Sequence, residues 1–322
     1  MRSSQELLER FAEILRIYQI TSSTEYDNLK IENKPARGTL SKIFGSWADA
    51  LNAAMNLQSE KVDVSILKKQ LEELTRSIHT PQLHLSGEKI SLGILSDTHM
   101  GSRFADLGLL DFAYETFADF GIETVLHAGD ILDGQRMYKG QEFELDKFGA
   151  DTQVEFCINR YPRKEGITTY FIDGNHDRSF WKDAGNNTGK KISQARDDMV
   201  YLGYQEAEVV LGDPDNGKKA TARIFHGEDG SAYAISYRPQ RYLTELPGKS
   251  KPDMLILGHY HKAEILYYQG VIAVQAGTTQ RQTPFMRGRR ISAALGFWIV
   301  NMTINENGIA RIGFEFFPAD PR

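Results

Sequence analysis

Five times in this chain an apolar run of strand length stops at a cluster of glycine, aspartate and histidine. Leu92-Gly93-Ile94-Leu95 stops at Asp97-Thr98-His99, and TVLHAGDILDG runs into Gly129-Asp130. TTYFIDGNHD ends on Gly174-Asn175-His176-Asp177, ARIFHGEDG on His226, and DMLILGHYH on Gly258-His259-Tyr260-His261. Short apolar runs bounded in this way read as buried strands. In α/β folds, ligands gather beyond the carboxyl ends of such strands, and glycine beside each polar residue permits the tight backbone that close approach needs. The pattern predicts strands near 89–96, 123–128, 168–173, 206–211, 220–226, 253–257, 264–268 and 271–275, with helices over 106–120 and 146–161.

Each strand end alone has a bland reading: a turn with a surface imidazole at Asp97 and His99, a common loop at Asp130 to Asp133, a weak metal pair at His259 and His261. The histidines decide jointly. Of eight, His99, His176, His226, His259 and His261 sit at such ends and only His79, His84 and His127 do not. The donors are imidazole, carboxylate and one amide oxygen, which suits Mn²⁺, Fe²⁺ or Zn²⁺ over Cu(I) or Ca²⁺. Cys157 is the only cysteine, so a thiolate cage and an intramolecular disulfide are both excluded, as in a reducing compartment. Six or seven donors exceed what one tetrahedral ion takes, and a bridging carboxylate serves two. The residues therefore point to a phosphoesterase with two divalent transition-metal ions, Mn²⁺ foremost.

The order Asp-x-His, Gly-Asp-x-x-Asp, Gly-Asn-His-Asp, His-Gly, Gly-His-x-His resembles the calcineurin-like metallophosphoesterase superfamily across residues 89–322. That resemblance implies an α/β/β/α sandwich with a dinuclear site at one edge. It assigns Asp97, His99 and His261 to one metal, Asn175, His226 and His259 to the other, and Asp130 to the bridge. It gives His176 the part of protonating the leaving oxygen or steadying the transition state, with Asp177 orienting it. Asp133 is read either as support for a ligand or as a loop cap. Asp133-Gly134-Gln135 lacks the arginine of the Ser/Thr protein phosphatases, and SDTHMG is similar to the first motif of the superfamily's double-strand-break repair nucleases.

Residues 1–58 read as a small helical module, residues 59–88 as a helical linker and 89–322 as the phosphoesterase domain. TLSKIFGSWADALNAAMNLQ resembles the helical repeat found beside homing-endonuclease domains, often in phage and bacterial proteins. That repeat looks like a helix-turn-helix module, which implies DNA contacts from Arg37, Thr39, Ser41 and Lys42, with Lys30 and Lys34 on phosphate and Phe44, Trp47, Leu51 and Ala54 in the module's core. Residues 1–60 hold 7 Lys or Arg against 8 Asp or Glu, so the module alone is expected to bind DNA weakly. A second patch, RQTPFMRGRR, offers Arg281, Arg287, Arg289 and Arg290, and Arg238 and Arg241 add to it. Tyr237, Tyr242 and Phe285 are read as core in preference to base-stacking surfaces.

The net charge of −5 confines nucleic-acid contact to local patches. Val64, Leu67, Leu71, Leu74 and Ile78 form a two-heptad seam, for which packing on the next domain is favoured over a homodimer zipper. No apolar stretch reaches the roughly 18 residues of a membrane span, and the expected location is cytoplasmic. The leading expectation is a metal-dependent nuclease or phosphodiesterase acting on DNA. The alternative is a phosphatase or small-molecule phosphodiesterase whose first module binds a partner.

Overall fold

The computed structural model describes residues 3–18, 20, 22–60, 81–230 and 232–319. The seam at 64–78 lies outside the described residues. The chain divides into two compact units, Met1–His79 and Thr80–Arg322.

The first unit holds α1 (Ser4–Tyr18), α2 (Ser23–Asn28), α3 (Arg37–Phe44) and α4 (Trp47–Glu60). Ser22 starts α2 with a reciprocal capping box: its side chain accepts from the Glu25 N–H while the Glu25 carboxylate accepts from its own. Ser46 likewise accepts from the Asp49 N–H at 3.0 Å at the head of α4. Phe11, Ile14, Tyr26, Leu40, Ala50 and Ala54 form the buried core, and Phe44, Trp47 and Leu51 pack against it. The rings of Phe11, Tyr26 and Trp47 lie pairwise with centroids 5.1 Å apart. The core residues expected in this module are therefore where the sequence places them.

The second unit is built on two six-stranded sheets. One contains β1 (Gln82–Leu85), β6 (Glu206–Asp213), β7 (Lys218–His226), β8 (Met254–Gly258), β10 (Val271–Ala276) and β9 (Ala263–Tyr268), in that spatial order. The other runs β12 (Gly308–Pro318), β11 (Gly296–Asn305), β2 (Lys89–Leu95), β3 (Thr124–His127), β4 (Thr168–Asp173), β5 (Met199–Tyr204). The period of two in a strand divides the side chains between the sheet's faces. Ile90, Leu92 and Ile94 of β2 meet Val209, Ala222, Ile224 and Ile256 in the core between the sheets. Leu95 faces the other way, into a cluster with Leu110 and Phe117 of α5 (Leu107–Asp119) and Val154 and Cys157 of α6 (Ala150–Arg160). On the opposite layer Leu243 of α9 (Tyr237–Glu245; α7 and α8 are Ser179–Ala184 and Thr188–Ala195) packs on Leu255 and Leu257. This is the α/β/β/α sandwich.

The eight expected strands are present, and four more were not foreseen. Residues 82–85, expected in a helical linker, form β1, which pairs in parallel with β6 through Gln82↔Glu208 to Leu85↔Leu211. Leu83 and Leu85 pack against the core between the sheets, which is why an extended segment is favoured there. β5 extends one sheet beyond β4, and β11 and β12 form a hairpin at its other edge.

Gly93 shows how closely the helical layer sits. A Cβ there would lie 2.8 Å from the ring of the fully buried Phe117. Overpacking of this kind costs about 1–3 kcal/mol, so Gly93→Val should lower stability by that amount in urea titration with an unchanged m value. A loss under a few tenths of a kcal/mol would mean that α5 is not packed on β2 as described.

Candidate metal centre

Carboxyl ends of strands from both sheets supply the candidate donors: Asp97 and His99 after β2, Asp130 after β3, Asn175 after β4, His226 at the end of β7, and His259 and His261 after β8. The chain turns sharply to aim them. Asp97, His99, Asp130, His259 and His261 have φ of +54°, +46°, +55°, +81° and +53°. Non-glycine residues seldom adopt the left-handed region, at roughly 1–3 kcal/mol each, and hold it only where the surroundings over-determine it. Here they do. Asp97 N–H donates to the Gly129 carbonyl at 2.9 Å, and His99 N–H to the Asp130 carbonyl at 3.1 Å. His259 N–H donates to the Asp97 carboxylate at 2.9 Å, and Thr278 Oγ1 donates to the Asp97 carbonyl at 2.7 Å. Gly174 has to be glycine because a Cβ would stand 2.1 Å from Asp130 Oδ1.

The imidazoles are held from behind. His226 Nδ1 lies 2.6 Å from the Ala128 carbonyl and must carry the proton, which leaves Nε2 bare. That Nε2 faces Asp130 Oδ2 and Asn175 Oδ1, each at 3.1 Å. His99 Nδ1 donates to Asp133 Oδ1 at 3.0 Å, leaving its Nε2 toward His261 Nε2 at 3.2 Å, Asp97 Oδ1 at 3.8 Å and Asp130 Oδ2 at 3.9 Å. His261 Nε2 is 3.2 Å from Asp97 Oδ1. His259 donates from Nε2 to the Asp229 carbonyl at 2.8 Å, leaving Nδ1 bare. The potential donor atoms of Asp97, His99 and His261 lie within 4.8 Å of one another, as do those of Asp130, His226 and His259.

Lone pairs thus converge on lone pairs, and only a positive charge reconciles them. Adjacent ligands of a tetrahedral ion with bonds of roughly 2.0–2.1 Å stand about 3.3 Å apart, close to the observed 3.1 and 3.2 Å. The donor set fits divalent metal. In the metal-free chain protons take that place. Burial alone would lower the His99 imidazole, but its hydrogen bonds to Asp133 and Asp97 raise it to about 10. Burial opposes His226 in the same way, and Asp130 raises it to about 9. Burial also resists ionisation of Asp130, and the imidazoles, His226 first, outweigh it and hold the carboxyl below the usual carboxylate range.

Asp133 braces a candidate donor and is more than a loop cap: its carboxylate holds His99 and accepts from Gln280 Nε2 at 3.1 Å and Gln141 Nε2 at 3.2 Å. The two glutamines carry no signal in the sequence. Asp177 does not have the part expected of it. Its carboxylate accepts from the backbone N–H groups of Leu132 at 2.8 Å, Gly174 at 2.9 Å and Ile131 at 3.2 Å, tying the second and third strand-end loops together. The His176 ring is oriented instead by the Asp133 carbonyl, 2.6 Å from Nδ1. Burial depresses the His176 pKa, so at neutral pH its bare Nε2 is an acceptor.

The centre opens into a cavity of about 800 Å³ that Arg289 and Arg290 also line. The other arginines are engaged elsewhere: Arg281 with Asp106 at 2.8 Å, Arg241 with Glu245 at 2.9 Å, and Arg238 with Asp229. Arg287 is exposed. Tyr242 packs on Phe225 as core, whereas Tyr237 is exposed and Phe285 lines the cavity. In the first unit Arg37, Thr39 and Lys42 are exposed on α3, Ser41 is half-buried, and Arg37 pairs with Asp27 at 3.2 Å. Lys34 is used internally, donating to the carbonyls of Tyr26 and Asp27 at 2.7 and 3.1 Å.

The profile of the calcineurin-like phosphoesterase superfamily domain matches residues 90–295, and the chain belongs to that superfamily. Among curated proteins it is similar to DNA polymerase II small subunits of archaea. The Methanocaldococcus jannaschii protein is 26% identical over 69% of this chain and 44% of its own length. The Halobacterium salinarum protein is 24% identical over 63% and 46%, and the Archaeoglobus fulgidus protein 24% over 90% and 67%. The chain spans about half the length of the first two relatives. These relatives do not single out the repair-nuclease branch that the first motif resembles, nor a phage or bacterial origin. Of solved structures, one described as a novel archaeal phosphodiesterase superposes with a TM-score of 0.39 at 16% identity over 71% of this chain and all of that one. The GAP50 anchor of the Plasmodium inner membrane complex does so at 0.46, with 12% identity over 72% and 85%. Neither carries a functional conclusion. No helix among the described residues is long and apolar enough to cross a membrane.

Metal uptake near pH 7 should release close to two protons, because His99 and His226, raised to about 10 and 9, must both deprotonate. Calorimetric Mn²⁺ titrations in two buffers of different ionisation enthalpy measure that number. The raised folded pKa values also stabilise the metal-free chain fully below the ordinary histidine pKa of about 6.5, and that contribution disappears as pH rises through 9 to 10. Urea titrations from pH 6 to 10.5 should show the decline without metal and a shallower one with it. No proton release, and a flat metal-free profile, would refute the charge arrangement.

Proposed function

We propose that this chain is a phosphodiesterase that uses two divalent metal ions, Mn²⁺ foremost, and acts on DNA. The observation that carries the reading is the ring of bare imidazole nitrogens and buried carboxylates at the head of a cavity flanked by two arginines without acidic partners among the described residues. Asp97, His99 and His261 would hold one ion and Asn175, His226 and His259 the other, with Asp130 between them. Bound there, the metal would supply Lewis acidity and a water more acidic than bulk water.

The chain's own groups do the rest. Asp133 fixes the His99 tautomer through one carboxylate oxygen and the His176 ring through its carbonyl. His176 lines the same cavity as Asp130, and its Nε2 takes the proton that the attacking water gives up and passes it to the departing oxygen. Arg289 and Arg290 bring positive charge to the substrate's phosphates, and the exposed face of α3, with Thr39 and Lys42, is the DNA contact of the first unit.

A second reading rests on the relatives' names, which place them as small subunits of a DNA polymerase. In that reading the chain is an accessory subunit on which the metal centre serves structure and the first unit binds a partner. The donor set is intact, which favours catalysis.

Mn²⁺-dependent cleavage of supercoiled plasmid and end-labelled strands, with Asp130→Asn as the blank, separates the two. Cutting by the wild type alone supports the nuclease, and intact DNA with turnover of a chromogenic diester leaves a phosphodiesterase of small molecules. Metal binding with no turnover of either leaves the accessory subunit. His176→Ala should lower turnover of diesters with alkoxide leaving groups by roughly 10²–10⁴-fold, and far less for p-nitrophenyl esters, whose leaving group needs no proton. Equal losses on both would remove proton transfer from His176.

A further inference from the structure

Part of the wall of the cavity that holds the metal centre is built from Tyr138 and from the turn 283–291, neither of which supplies a candidate metal donor. Tyr138 and Phe285 lie face to face with centroids 3.8 Å apart and planes 20° from parallel, and the Arg289 guanidinium lies 4.5 Å from the Phe285 centroid. All three line the cavity. A single buried carboxylate holds the stack: Glu144 accepts from Tyr138 Oη at 2.7 Å through one oxygen and from the Phe285 N–H at 2.9 Å through the other. Thr283 caps the turn carrying Phe285 and Arg289, accepting from the Met286 N–H at 3.2 Å. Gln282 Nε2 closes the turn by donating to the Ile291 carbonyl at 2.7 Å.

Neither Arg289 nor Arg290 has a carboxylate at ion-pairing distance among the described residues, whereas Arg281, Arg238 and Arg241 are each paired. Two unpaired cations and a clamped aromatic stack in the same cavity as a phosphate-directed centre suit a ligand that carries a flat ring as well as the reacting phosphate. We propose that the stack of Tyr138, Phe285 and Arg289 is a nucleobase platform, so that the site takes an unpaired nucleotide terminus and not the interior of a duplex. The inference rests on the phosphodiesterase reading for its chemistry and on the wall alone for its binding. A base inside a duplex is already stacked and cannot reach a side wall, whereas an unpaired base stacks on aromatic rings and guanidinium planes with little regard to sequence. Because Glu144 and Thr283 hold the wall in place before any ligand arrives, little ordering is required on binding.

The whole 322-residue chain with Mn²⁺ is tested on two diesters sharing one leaving group, thymidine 5′-(p-nitrophenyl phosphate) and methyl p-nitrophenyl phosphate. Fluorescence quenching of a single-stranded oligonucleotide ending in 2-aminopurine reports stacking without any turnover. Phe285→Leu and the exposed Arg289→Gln should each raise the KM ratio of nucleotidyl to methyl diester about tenfold and weaken quenching by a similar factor. Phe285→Tyr should restore both. A blunt duplex should compete for the oligonucleotide at least tenfold less well than a single strand. An unchanged KM ratio in both variants, or equal competition by the duplex, overturns the platform. Quenching that the variants weaken, with neither diester turned over, keeps the platform and removes the phosphodiesterase reading. Turnover of both diesters without quenching does the reverse.

Discussion

The second unit is organised around a set of buried lone pairs that cannot satisfy one another. Asp97 and Asp130 are essentially inaccessible, and Nε2 of His99 and of His226 points at them, so that a proton or a metal ion has to stand between. Unpaired charge removed from water is among the costliest things a fold can contain. The surrounding structure is arranged to keep the unfavourable geometry in place: left-handed turns at five of the donors, carbonyls behind three of the rings, and the carboxylate of Asp177 binding neighbouring loops together. Below the raised imidazole pKa values protons on His99 and His226 fill that place, and a divalent metal would displace them on binding.

That dependence explains what was legible in the sequence. A donor needed at a strand end must follow its strand by a fixed short interval, so motif and strand advertise each other. This is why β2, β3, β4, β7 and β8 were all placed from the strings in which their donors occur. The same necessity put glycine beside the donors: at Gly129 a Cβ would stand 2.5 Å from His226 Nδ1. In the first unit, Ser22 with Glu25 and Ser46 with Asp49 cap helix starts because unpaired N–H groups at a helix head demand such partners.

What was missed lacked that coupling to function. β1 is an edge strand of four residues, polar enough to pass for linker, and only its partner β6 makes it a strand. β12 alternates along GIARIGFEFF and is reached through Glu306-Asn307-Gly308, with Gly308 at a φ of +97°, so a hairpin signal existed but lay beyond the last motif. Asp177 illustrates a different limit. Its place beside His176 in the chain suggested contact between their side chains, yet adjacent residues in a tight turn point apart, and the carbonyl of Asp133, distant in sequence, holds the ring. Side chains that reach across to another loop, as Gln141 and Gln280 do to Asp133, leave no pattern to read.

The donors come from both layers of the sandwich: Asp97, His99, Asp130 and Asn175 follow strands of one sheet, while His226, His259 and His261 belong to the other. Between the layers lie aliphatic and aromatic side chains, with the Trp298 indole N–H donating across to the Gln275 carbonyl at 3.1 Å; the apolar packing resists separation strongly but sliding much less, because it has no preferred direction. Ligation across that seam is directional. A metal bound across that seam would act as a rivet that sets the registry of one sheet on the other, and a change in its occupancy would be felt as shear along the whole interface.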